Sequence, residues 1–471
     1  MSKTNLVVVG AGPGGYVAAF LAADLGMDVT LVGKDENPGG VCLYRGCIPS
    51  KALLHVAKLI NESRESAEWG VEFSEPTIDL DKLRSWKNSV VEKLTGGLGQ
   101  LAKARNVRYI RGTATFLSST TLKVAKHEGG EEELSFDKAI LATGSVIAKI
   151  PSLDIASDRL LDSTTALDLP AIPKRLLVIG GGYIGLELGS AYRALGAKVS
   201  VVEMTSGLLP GADRDLVTHL AKRIKASFEE VMLETKVVAL EEKKNALAVT
   251  IEDKKGEKTT KEYDNVLMSI GRKPTTEGLG LEKTDVETDE RGWVKVDAQR
   301  RTTDANIYAI GDVAGEPMLA HKASHEGKVA VEAIAGEKAV YEPRAIPAVV
   351  FTDPELAWAG LSETEAKKRG VKVEVAKFPW AASGRATTLG RSDGVTKLVI
   401  DPETERVLGV GVCGPGAGEL IAEGALAIEM AATVEDLKMT IHPHPTLSET
   451  VMEAADAFFG QSAHYFRPKR K

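Results

Sequence analysis

The chain has 471 residues, of which 43% are hydrophobic and 27% are charged, and its formal net charge at pH 7 is −7. This composition is typical of a soluble α/β protein, and the length allows about three domains of roughly 150 residues each. The negative charge argues against nucleic acid as a partner, and no apolar run reaches the roughly 18 residues that a membrane span needs. The N-terminus shows no leader pattern and the basic end, residues 467–471, is interpreted as a solvated tail, so we expect a cytoplasmic protein.

The first predicted element is a strand that leads into a glycine-rich turn. Residues 6–15 read LVVVGAGPGG, and a helix-like stretch and a second apolar run follow. Residues 176–185 read LLVIGGGYIG and repeat the whole pattern. Glycines in such a turn let the backbone approach a pyrophosphate, and the helix N-terminus supplies free N–H groups and a positive potential. Two copies in the same context predict two dinucleotides side by side, at Gly10, Gly12, Gly14 and Gly15 and at Gly180, Gly182, Ile184 and Gly185.

The two copies differ at the end of the second strand, where an acidic residue usually binds the adenosine ribose. The second copy has Glu203 there, and no arginine follows within the next few residues to bind a 2′-phosphate. This favours NAD over NADP. The first copy has Gly33 at the matching position, followed by Lys34, Asp35 and Glu36.

Between the two copies, residues 39–51 read GGVCLYRGCIPSK and contain Cys42 and Cys47. The third cysteine of the chain, Cys413, is expected to be a small buried residue. Three cysteines without clustered histidines do not suit a zinc site, so no metal is predicted. Two buried structural thiols are the alternative for the close pair, but beside two nucleotide loops a redox pair is favoured.

The spacing of these two cysteines conflicts with a regular helix. Cα atoms five positions apart in an α-helix are about 8–9 Å apart, whereas a disulfide requires less than about 7 Å. If the pair forms a bridge, the helix must be irregular there, and Pro49 and Gly46 each give a reason. Lys51 follows Cys47 by one turn, where a cation could lower the pKa of a thiolate or stabilise charge on a cofactor ring.

Three later apolar strands end in glycine turns, at residues 139–145, 266–274 and 306–315. The first two are each predicted to complete one nucleotide domain, and a helix is predicted to follow the third, at about 318–334. From about residue 346 the pattern contains no dinucleotide fingerprint, which predicts a separate closing domain.

Near the C-terminus, residues 441–451 read IHPHPTLSETV. Imidazole titrates near neutrality and is the natural base for a thiol, and Glu449 could orient it by binding its other nitrogen. Spacing alone does not choose between His442 and His444. The alternative is a rigid proline-rich turn whose imidazoles only face solvent.

Taken together, these motifs resemble those of the pyridine nucleotide–disulfide oxidoreductase family over essentially the whole chain. The diagnostic stretches are GAGPGG, GGVC-x4-CIPSKALLH, GGGYIGLELG, AIGD with PMLAHKASHEG, FPWAASGRA and HPTLSE. The resemblance implies an α/β fold with two Rossmann-like dinucleotide-binding domains and a C-terminal α+β dimerisation domain. It implies an FAD-binding domain at 1–150, an NAD-binding domain at 151–275, a central domain that completes the FAD site at 276–345 and an interface domain at 346–471.

The resemblance also implies the roles of the site residues. FAD is expected at the first loop and NAD at the second, with Cys47 facing the flavin and Cys42 exchanging with substrate. His444 matches the family's base and Glu449 its partner, and this base acts across the interface of a homodimer. The other implied cofactor-binding residues are Glu36, Lys51, Gly112, Thr143, Gly144, Ser145, Glu187, Glu203, Gly271, Arg272, Gly311, Asp312, Met318, Leu319, Ala320 and His321.

Within the family the likeness is to the branch that oxidises protein-bound dihydrolipoamide with NAD as a subunit of 2-oxo acid dehydrogenase complexes. The implied partner is the lipoyl-bearing acyltransferase component of such a complex, or the lipoyl carrier of glycine cleavage. Glutathione reductase is the nearest rival, but it would favour NADPH and basic residues after Glu203. A flavin oxidase would not require both thiols, and a non-catalytic subunit would not require the thiols, His444 and Glu449 together.

The chain departs from the family pattern in two places. Gly33 replaces the usual acid that binds the FAD ribose, so that either FAD binds more weakly or Asp35 or Glu36 substitutes. FAD is still expected in the isolated protein. The dipeptide Tyr44-Arg45 replaces the commoner Asn-Val between the cysteines, which we expect to be tolerated because these side chains need not contact the sulfur atoms.

Overall fold

The computed structural model describes residues 2–466, so the basic tail at 467–471 lies outside the described residues. The chain begins with a strand–helix–strand unit that continues into three further helices and a β-meander. These elements are β1 (Ser2–Val9), α1 (Pro13–Asp24), β2 (Val29–Gly33), α2 (Gly40–Arg45), α3 (Cys47–Glu65), α4 (Leu80–Ala104), β3 (Arg108–Ser118), β4 (Thr121–Lys126), β5 (Glu131–Leu141) and β6 (Ser145–Ile147).

The strands β3, β2, β1 and β5 lie side by side in parallel, and β4 pairs antiparallel with the outer parts of β3 and β5. The apolar run 6–9 is fully covered, as expected for a central parallel strand that is buried on both faces. Helix α1 packs closely on this sheet because its buried residues are all glycine and alanine. A Cβ on Gly15 would lie 1.8 Å from the carbonyl oxygen of Gly10, so only glycine allows this approach.

The next segment repeats the strand–helix–strand unit and adds a three-stranded antiparallel sheet. Its elements are β7 (Leu160–Leu161), α5 (Ser163–Leu167), β8 (Arg175–Ile179), α6 (Tyr183–Ala194), β9 (Lys198–Val202), α7 (Arg214–Ser227), β10 (Glu230–Met232), β11 (Lys236–Glu242), β12 (Leu247–Glu252), β13 (Lys258–Tyr263), β14 (Asn265–Met268) and β15 (Arg272–Pro274). The strand order of the parallel sheet is β10-β9-β8-β14-β7. Apolar residues of β12 pack against the central strands, with Val249 and Leu177 in one buried cluster.

After β15 the chain returns to the first sheet. Strand β16 (Ile307–Ala309) pairs in parallel with β5, and helix α8 (Ala320–Ile334) packs against α1. Residues that follow the second nucleotide unit in sequence therefore complete the first one in space. This return brings the turn at Gly311 and the N-terminus of α8 next to the first glycine loop, where a Cβ on Gly14 would lie 3.0 Å from the carbonyl oxygen of Ala323.

The C-terminal part is built on an antiparallel sheet with the strand order β17-β18-β21-β20-β19. Its elements are β17 (Ala348–Val350), β18 (Leu356–Gly360), α9 (Glu363–Arg369), β19 (Glu374–Pro379), α10 (Gly384–Thr388), β20 (Val395–Ile400), β21 (Val407–Cys413), α11 (Ala417–Glu429), α12 (Val434–Met439) and α13 (Glu449–Phe459). Cys413 is fully buried, as predicted. Two parallel nucleotide sheets and an α+β C-terminal unit confirm the predicted fold class. Within the described part of the chain, no helix has the length and apolarity to cross a membrane.

A buried ion cluster joins the second nucleotide unit to the C-terminal sheet. The ammonium group of Lys397, on β20, lies 2.6 Å from Asp213 and 2.9 Å from both Asp215 and Glu363, and only 1% of its side chain is exposed. Asp213 also accepts the N–H groups of Glu363 and Thr364 at the start of α9. Burial opposes ionisation of Asp213, but its hydrogen bonds, first that from Lys397, lower its pKa to about 2.

Replacing Lys397 with methionine should destabilise the fold, because it leaves the buried carboxylate of Asp213 without a counter-ion. Breaking a buried pair in this way costs about 3–5 kcal/mol, which urea unfolding followed by circular dichroism at pH 7 would measure. The matched control is Lys377→Met, because Lys377 binds Asp215 with a side chain that is 40% exposed, and exposed pairs contribute about 0–1 kcal/mol. Equal losses for the two variants would contradict the interpretation.

The same cluster predicts how stability depends on pH. Because the folded-state pKa of Asp213 is lowered, the stabilisation is complete above the unfolded pKa of about 4. It is lost as the pH falls towards the folded value of about 2. The wild-type protein and Lys397→Met should therefore converge in stability at acid pH.

Candidate active site

A single cavity of about 540 Å³ contains most of the predicted site. It lies where the first glycine loop, the cysteine helices and the start of α6 meet. The predicted residues that line it are Gly10, Gly12, Gly14, Cys42, Cys47, Lys51, Gly112, Thr143, Gly144, Ser145, Ile184, Glu187, Arg272, Gly311, Asp312, Met318 and Ala320. The predicted residues that do not line it are Gly15, Glu36, Gly180, Gly182, Gly185, Glu203, Gly271, Leu319, His321, His444 and Glu449.

The first loop has the shape that an anionic group requires. Gly10 has φ +109° and its Cβ would lie 2.2 Å from the carbonyl oxygen of Ala142, so the loop crosses directly over the end of β5. Gly12 begins α1 without a side-chain cap, and nothing lies within 4 Å of the position of its Cβ. The unbonded N–H groups of the first helical turn therefore open on the cavity, and a pyrophosphate fits there.

The helix that follows the second loop reaches the same cavity, although the glycines of that loop do not line it. Helix α6 begins at Tyr183, also without a side-chain cap on the preceding glycine, and Tyr183 and Ile184 line the cavity. Glu203 lies at the end of β9 as predicted, where its carboxylate accepts the N–H groups of Gly181 and Thr205, each at 2.7 Å. The carboxylate is thus fixed beside the second loop, where an adenosine ribose would be recognised.

The two thiols are in contact because the helix that carries them is interrupted. Helix α2 ends at Arg45 and α3 begins at Cys47, with Gly46 between them at φ −148° and ψ −111°. A Cβ on Gly46 would lie 3.0 Å from the carbonyl oxygen of Val41, so a larger residue would push the two turns apart. Pro49 lies in the first turn of α3, four positions after Arg45, where α2 ends, so a continuous helix would lack the hydrogen bond from position 49 to the carbonyl oxygen of Arg45. Pro49 and Gly46 are therefore both consistent with the predicted irregularity.

The pair is present as two thiols, and their acidities are opposed. A hydrogen bond with Cys47, followed by burial, raises the pKa of Cys42 above its ordinary range. The same hydrogen bond and, against the opposing effect of burial, the positive charge of Lys51 together lower the pKa of Cys47 to about 7. Cys47 is therefore the thiolate near neutral pH, and Cys42 donates to it.

Lys51 is held beside the thiols by a buried carboxylate. Its ammonium group lies 2.8 Å from Glu187 of α6 and 4.5 Å from the ring centre of Phe351. Glu187 is 4% exposed, and it also accepts the hydroxyl of Ser50 at 3.2 Å and the N–H of Phe351 at 2.9 Å. The predicted Lys51–Glu187 pair therefore exists and connects the cysteine helix to the second nucleotide unit.

A second polar group lies at the turn after β16. Asp312 accepts the hydroxyl of Ser145 at 2.5 Å, and Arg272 donates to the same hydroxyl at 2.7 Å. The neighbouring Gly311 donates its N–H to the buried Glu326 at 2.6 Å. These bonds hold a carboxylate at the cavity wall, close to the N-terminus of α8.

The sequence did not identify one part of the cavity wall, the segment 275–279. Thr275, Glu277, Gly278 and Leu279 all line the cavity, and the carbonyl oxygen of Thr275 accepts the hydroxyl of Thr143 at 2.8 Å. The only available signal was their position directly after the strand at 266–274.

Of the predicted residues outside the cavity, His321 binds the carbonyl oxygen of Pro347 at 2.7 Å.

The structure distinguishes the two histidines that spacing left open. His442 is bound on both ring nitrogens, by Glu423 at 2.7 Å and by the carbonyl oxygen of Thr440 at 2.9 Å, and its side chain is 5% exposed. His444 binds only Glu449, through Nδ1 at 2.8 Å, and is 74% exposed. Within residues 2–466 its Nε2 has no hydrogen-bond partner, so this nitrogen is available to accept a proton.

Glu449 is prepared to remain charged while it orients the imidazole. Burial opposes its ionisation, but the N–H of Thr446 at 2.7 Å and His444 both bind it, and together they hold its pKa below the usual range. A carboxylate at Nδ1 selects the tautomer whose Nε2 is basic and stabilises the protonated ring.

Comparison with known proteins identifies the family. Residues 4–327 match the model of the pyridine nucleotide-disulphide oxidoreductases, and residues 346–455 match the dimerisation domain of the same family. The chain is 50% identical over 458 residues to dihydrolipoyl dehydrogenase of Vibrio parahaemolyticus, covering 97% of this chain and 96% of that one. The chain belongs to the pyridine nucleotide-disulphide oxidoreductase family. It is also 45% identical over 465 residues to dihydrolipoyl dehydrogenase of Haloferax volcanii, covering 98% and 97% of the two chains.

Solved structures agree with this assignment. LpdA of Mycobacterium tuberculosis is 28% identical with a TM-score of 0.89, covering 97% of this chain and 100% of that one. The HOCl-induced flavoprotein disulfide reductase RclA of Escherichia coli, in complex with Cu(II), is 29% identical with a TM-score of 0.87, covering 97% and 99%. FAD and NAD(H) are the cofactors of the dihydrolipoyl dehydrogenases, as the family resemblance implied. The dimerisation domain supports the predicted homodimer.

Replacing Lys51 with methionine should raise the pKa of Cys47, because the thiolate loses a nearby cation. An opposite charge within about 4–6 Å moves a pKa by about one to three pH units. Labelling the dithiol form with iodoacetamide across a pH series, with mass spectrometry of the Cys47 peptide, measures this change. The control is Lys58→Met on the same helix, an exposed lysine that pairs with Glu62. If both variants gave the wild-type profile, Lys51 would not control the acidity of Cys47.

Proposed function

We propose that this chain oxidises protein-bound dihydrolipoamide to lipoamide and reduces NAD⁺ to NADH. The observation that supports this most strongly is the contacting pair Cys42–Cys47 in the wall of a cavity that is lined by the first nucleotide loop and by the first turn of α6, the helix that follows the second loop. A dithiol beside a flavin site, with the second nucleotide unit adjoining the same cavity, would allow electrons to pass between a thiol substrate and a nicotinamide. Dihydrolipoyl dehydrogenases about half identical over nearly the whole chain support dihydrolipoamide as that substrate.

The chemistry of the chain's own residues begins with the oxidised pair. His444 accepts the proton of one substrate thiol, and the resulting thiolate attacks the sulfur of Cys42. The Cys42–Cys47 bond breaks, a mixed disulfide forms on Cys42, and Cys47 leaves as a thiolate, which its low pKa favours. The second substrate thiol then attacks the substrate sulfur of the mixed disulfide, and its proton passes to the departing sulfur of Cys42. Lipoamide is released, and His444 keeps the proton of the first thiol.

The cavity residues have matching roles toward the cofactors. FAD at the first loop supplies the two-electron link between the dithiol and the nicotinamide. Gly10, Gly12 and Gly14 would receive its pyrophosphate, and Asp312 and Lys51 would bind nearer its ring. Gly180, Gly182 and Gly185 would serve NAD in the same way, with Glu203 on its ribose. These roles assign 1–150 to FAD, 151–275 to NAD, 276–345 to completion of the FAD site and 346–471 to the interface.

The base is proposed to act on the thiols of a second copy of the chain. His444 and Glu449 do not line the cavity of their own chain, although His444 has a free nitrogen and an oriented ring. A twofold homodimer would place the His444 of each copy at the Cys42 of the other, so each active site would use both chains.

The lipoyl-bearing acyltransferase component of a 2-oxo acid dehydrogenase complex is the proposed partner, in the cytoplasm. The lipoyl carrier of glycine cleavage is the alternative source of the same dithiol. Both present dihydrolipoamide on a mobile arm, so the chemistry at Cys42 does not distinguish them.

The purified protein should reduce NAD⁺ with dihydrolipoamide and should not reduce oxidised glutathione with NADPH. Absorbance of NADH at saturating substrate measures the first activity, and loss of NADPH measures the second. Cys42→Ser and Cys47→Ser should each abolish the first, because neither can form the disulfide. Activity with glutathione instead of dihydrolipoamide, or activity that survives both substitutions, would overturn the proposal.

Active-site complementation tests whether the base comes from the second chain. Cys47→Ser and His444→Gln should each be inactive or nearly so as homodimers, since a general base contributes about 10²–10⁴-fold. When equal amounts are unfolded and refolded together, about a quarter of the wild-type activity should appear, because mixed dimers have one intact site. Cys47→Ser mixed with Cys42→Ser is the control and should stay inactive. No recovery in the first mixture would mean that His444 acts within its own chain.

A further inference from the structure

The end of β2 cannot accommodate the acid that the second copy has at the end of β9. A Cβ on Gly33 would lie 2.6 Å from the hydroxyl oxygen of Tyr109 and 2.6 Å from the Cβ of Ala11. Tyr109 is on the neighbouring strand β3 opposite Leu31, so it shares a face with Gly33 and leans over it. The space in which a Glu at position 33 would begin is therefore already filled.

The turn that follows Gly33 is held in place by three independent contacts. Tyr109 donates its hydroxyl to the carbonyl oxygen of Asp35 at 2.8 Å. Arg111 donates to the carbonyl oxygen of Lys34 at 3.3 Å. Both oxygens of the Asp35 carboxylate accept hydrogen bonds from the guanidinium group of Arg45, at 2.7 and 3.0 Å. Such a two-point contact fixes a carboxylate in orientation as well as in position.

Asp35 has the placement that a ribose ligand requires, and Glu36 does not. Gly33, Lys34, Asp35 and Arg45 all line the cavity, whereas Glu36 is exposed outside it. Each oxygen of Asp35 accepts one bond from Arg45 and retains a lone pair for a further hydroxyl. The carboxylate therefore remains available to the cavity while its charge is balanced.

Both departures from the family pattern meet at this turn. Arg45 binds Asp35, and the hydroxyl of Tyr44 binds the N–H of Asn37 at 3.1 Å. The unusual dipeptide between the cysteines thus supports the same loop that lost its acid at Gly33. Unrelated substitutions would not be expected to contact one another, so the arrangement indicates one compensated replacement.

We propose that Asp35, oriented by Arg45, binds the adenosine-ribose hydroxyls of FAD in place of an acid at position 33. The inference rests on the proposed function, because it takes the first loop as the FAD site. Asp35 is the binding residue and Arg45 a positioning residue. Because Arg45 is the last residue of α2, which carries Cys42, the same ion pair connects the nucleotide end of the cavity to the redox helix.

The test compares the binding of FAD and of FMN to the full-length chain after its flavin has been removed. Asp35→Ala should weaken FAD binding about 10- to 100-fold, the range for loss of a charged hydrogen-bond acceptor. FMN has no adenosine, so its affinity should not change. Arg45→Met should weaken FAD binding by a smaller factor, again without an effect on FMN. The matched control is Asp24→Ala, which breaks an Asp–Arg pair with Arg105 in the same domain but outside the cavity.

A rescue experiment tests the role of Tyr109. In the Asp35→Ala background, Gly33→Glu alone should not restore FAD affinity, because Tyr109 and Ala11 fill the space. Gly33→Glu together with Tyr109→Val and Ala11→Gly should restore it, because the acid can then occupy the position that Glu203 has in the second copy, where Gly181 stands in place of Ala11. Restoration by Gly33→Glu alone would contradict the steric part of the inference.

The results separate this inference from the proposed function. If Asp35→Ala leaves FAD affinity unchanged, or weakens FAD and FMN equally, Asp35 has at most a structural role and the inference is overturned. The proposed function would be untouched by that result as long as the wild-type protein reduces NAD⁺ with dihydrolipoamide. Failure of the wild-type protein in that assay would overturn the proposed function.

Discussion

The chemistry of this chain depends on contact between two sulfur atoms that are five positions apart in sequence. A continuous α-helix would hold their Cα atoms about 8–9 Å apart, beyond the reach of a disulfide. Gly46 removes this obstacle by ending one helix and allowing the next to begin immediately, with the carbonyl oxygen of Val41 directly against it. The interruption also makes Cys47 the first residue of α3, where N–H groups are free and the helix dipole favours a thiolate. One break thus provides both the contact and the acidity.

The difference in acidity between the thiols is maintained by contacts from three parts of the chain. Lys51 belongs to the cysteine helix, Glu187 to the second nucleotide unit, and Phe351 to the C-terminal unit. Glu187 is buried and accepts hydrogen bonds from both Lys51 and the N–H of Phe351. The ammonium group of Lys51 therefore cannot move away from Cys47 without leaving the buried carboxylate of Glu187 without a counter-ion. The charge state of the reactive sulfur is therefore a property of the folded assembly, and the cysteine segment alone could not reproduce it.

Sequence reasoning succeeded where function depends on local geometry. The two glycine loops, Glu203 and the irregular helix all follow from spacing within about 25 residues. It was less successful where the deciding contact comes from a distant segment. The histidines 442 and 444 share one local pattern, and only Glu423 of α11 shows that the first is fully bound. Similarly, Pro49 and Gly46 both indicate an interrupted helix, but only the folded chain shows that the break falls between Arg45 and Cys47, with Gly46 packed against Val41.

The remaining difficulty was to foresee which residue replaces a missing one. Gly33 is visible in the sequence as a departure from the family pattern, but its consequence depends on Tyr109. This tyrosine is 74 positions after Asp35 in sequence, yet its strand β3 is adjacent to β2 in the sheet. The dipeptide at 44–45 seemed neutral for the same reason, because its partners at 35 and 37 are neighbours only after α2 has folded back on the turn.

The proposed base from a second chain would place a further demand on the fold. The distance from His444 of one copy to Cys42 of the other would change with any change in the orientation of the C-terminal unit relative to the nucleotide units. Two ion pairs cross that junction: the buried pair Lys397–Asp213, and the partly exposed pair Arg223–Asp353 at 2.7 Å. The buried pair adds little net stability compared with apolar contacts, but it favours one relative orientation, because another would leave a buried charge without a partner. Its value here is therefore geometric, since an orientation error inside one chain would misplace the base in the active site of the other.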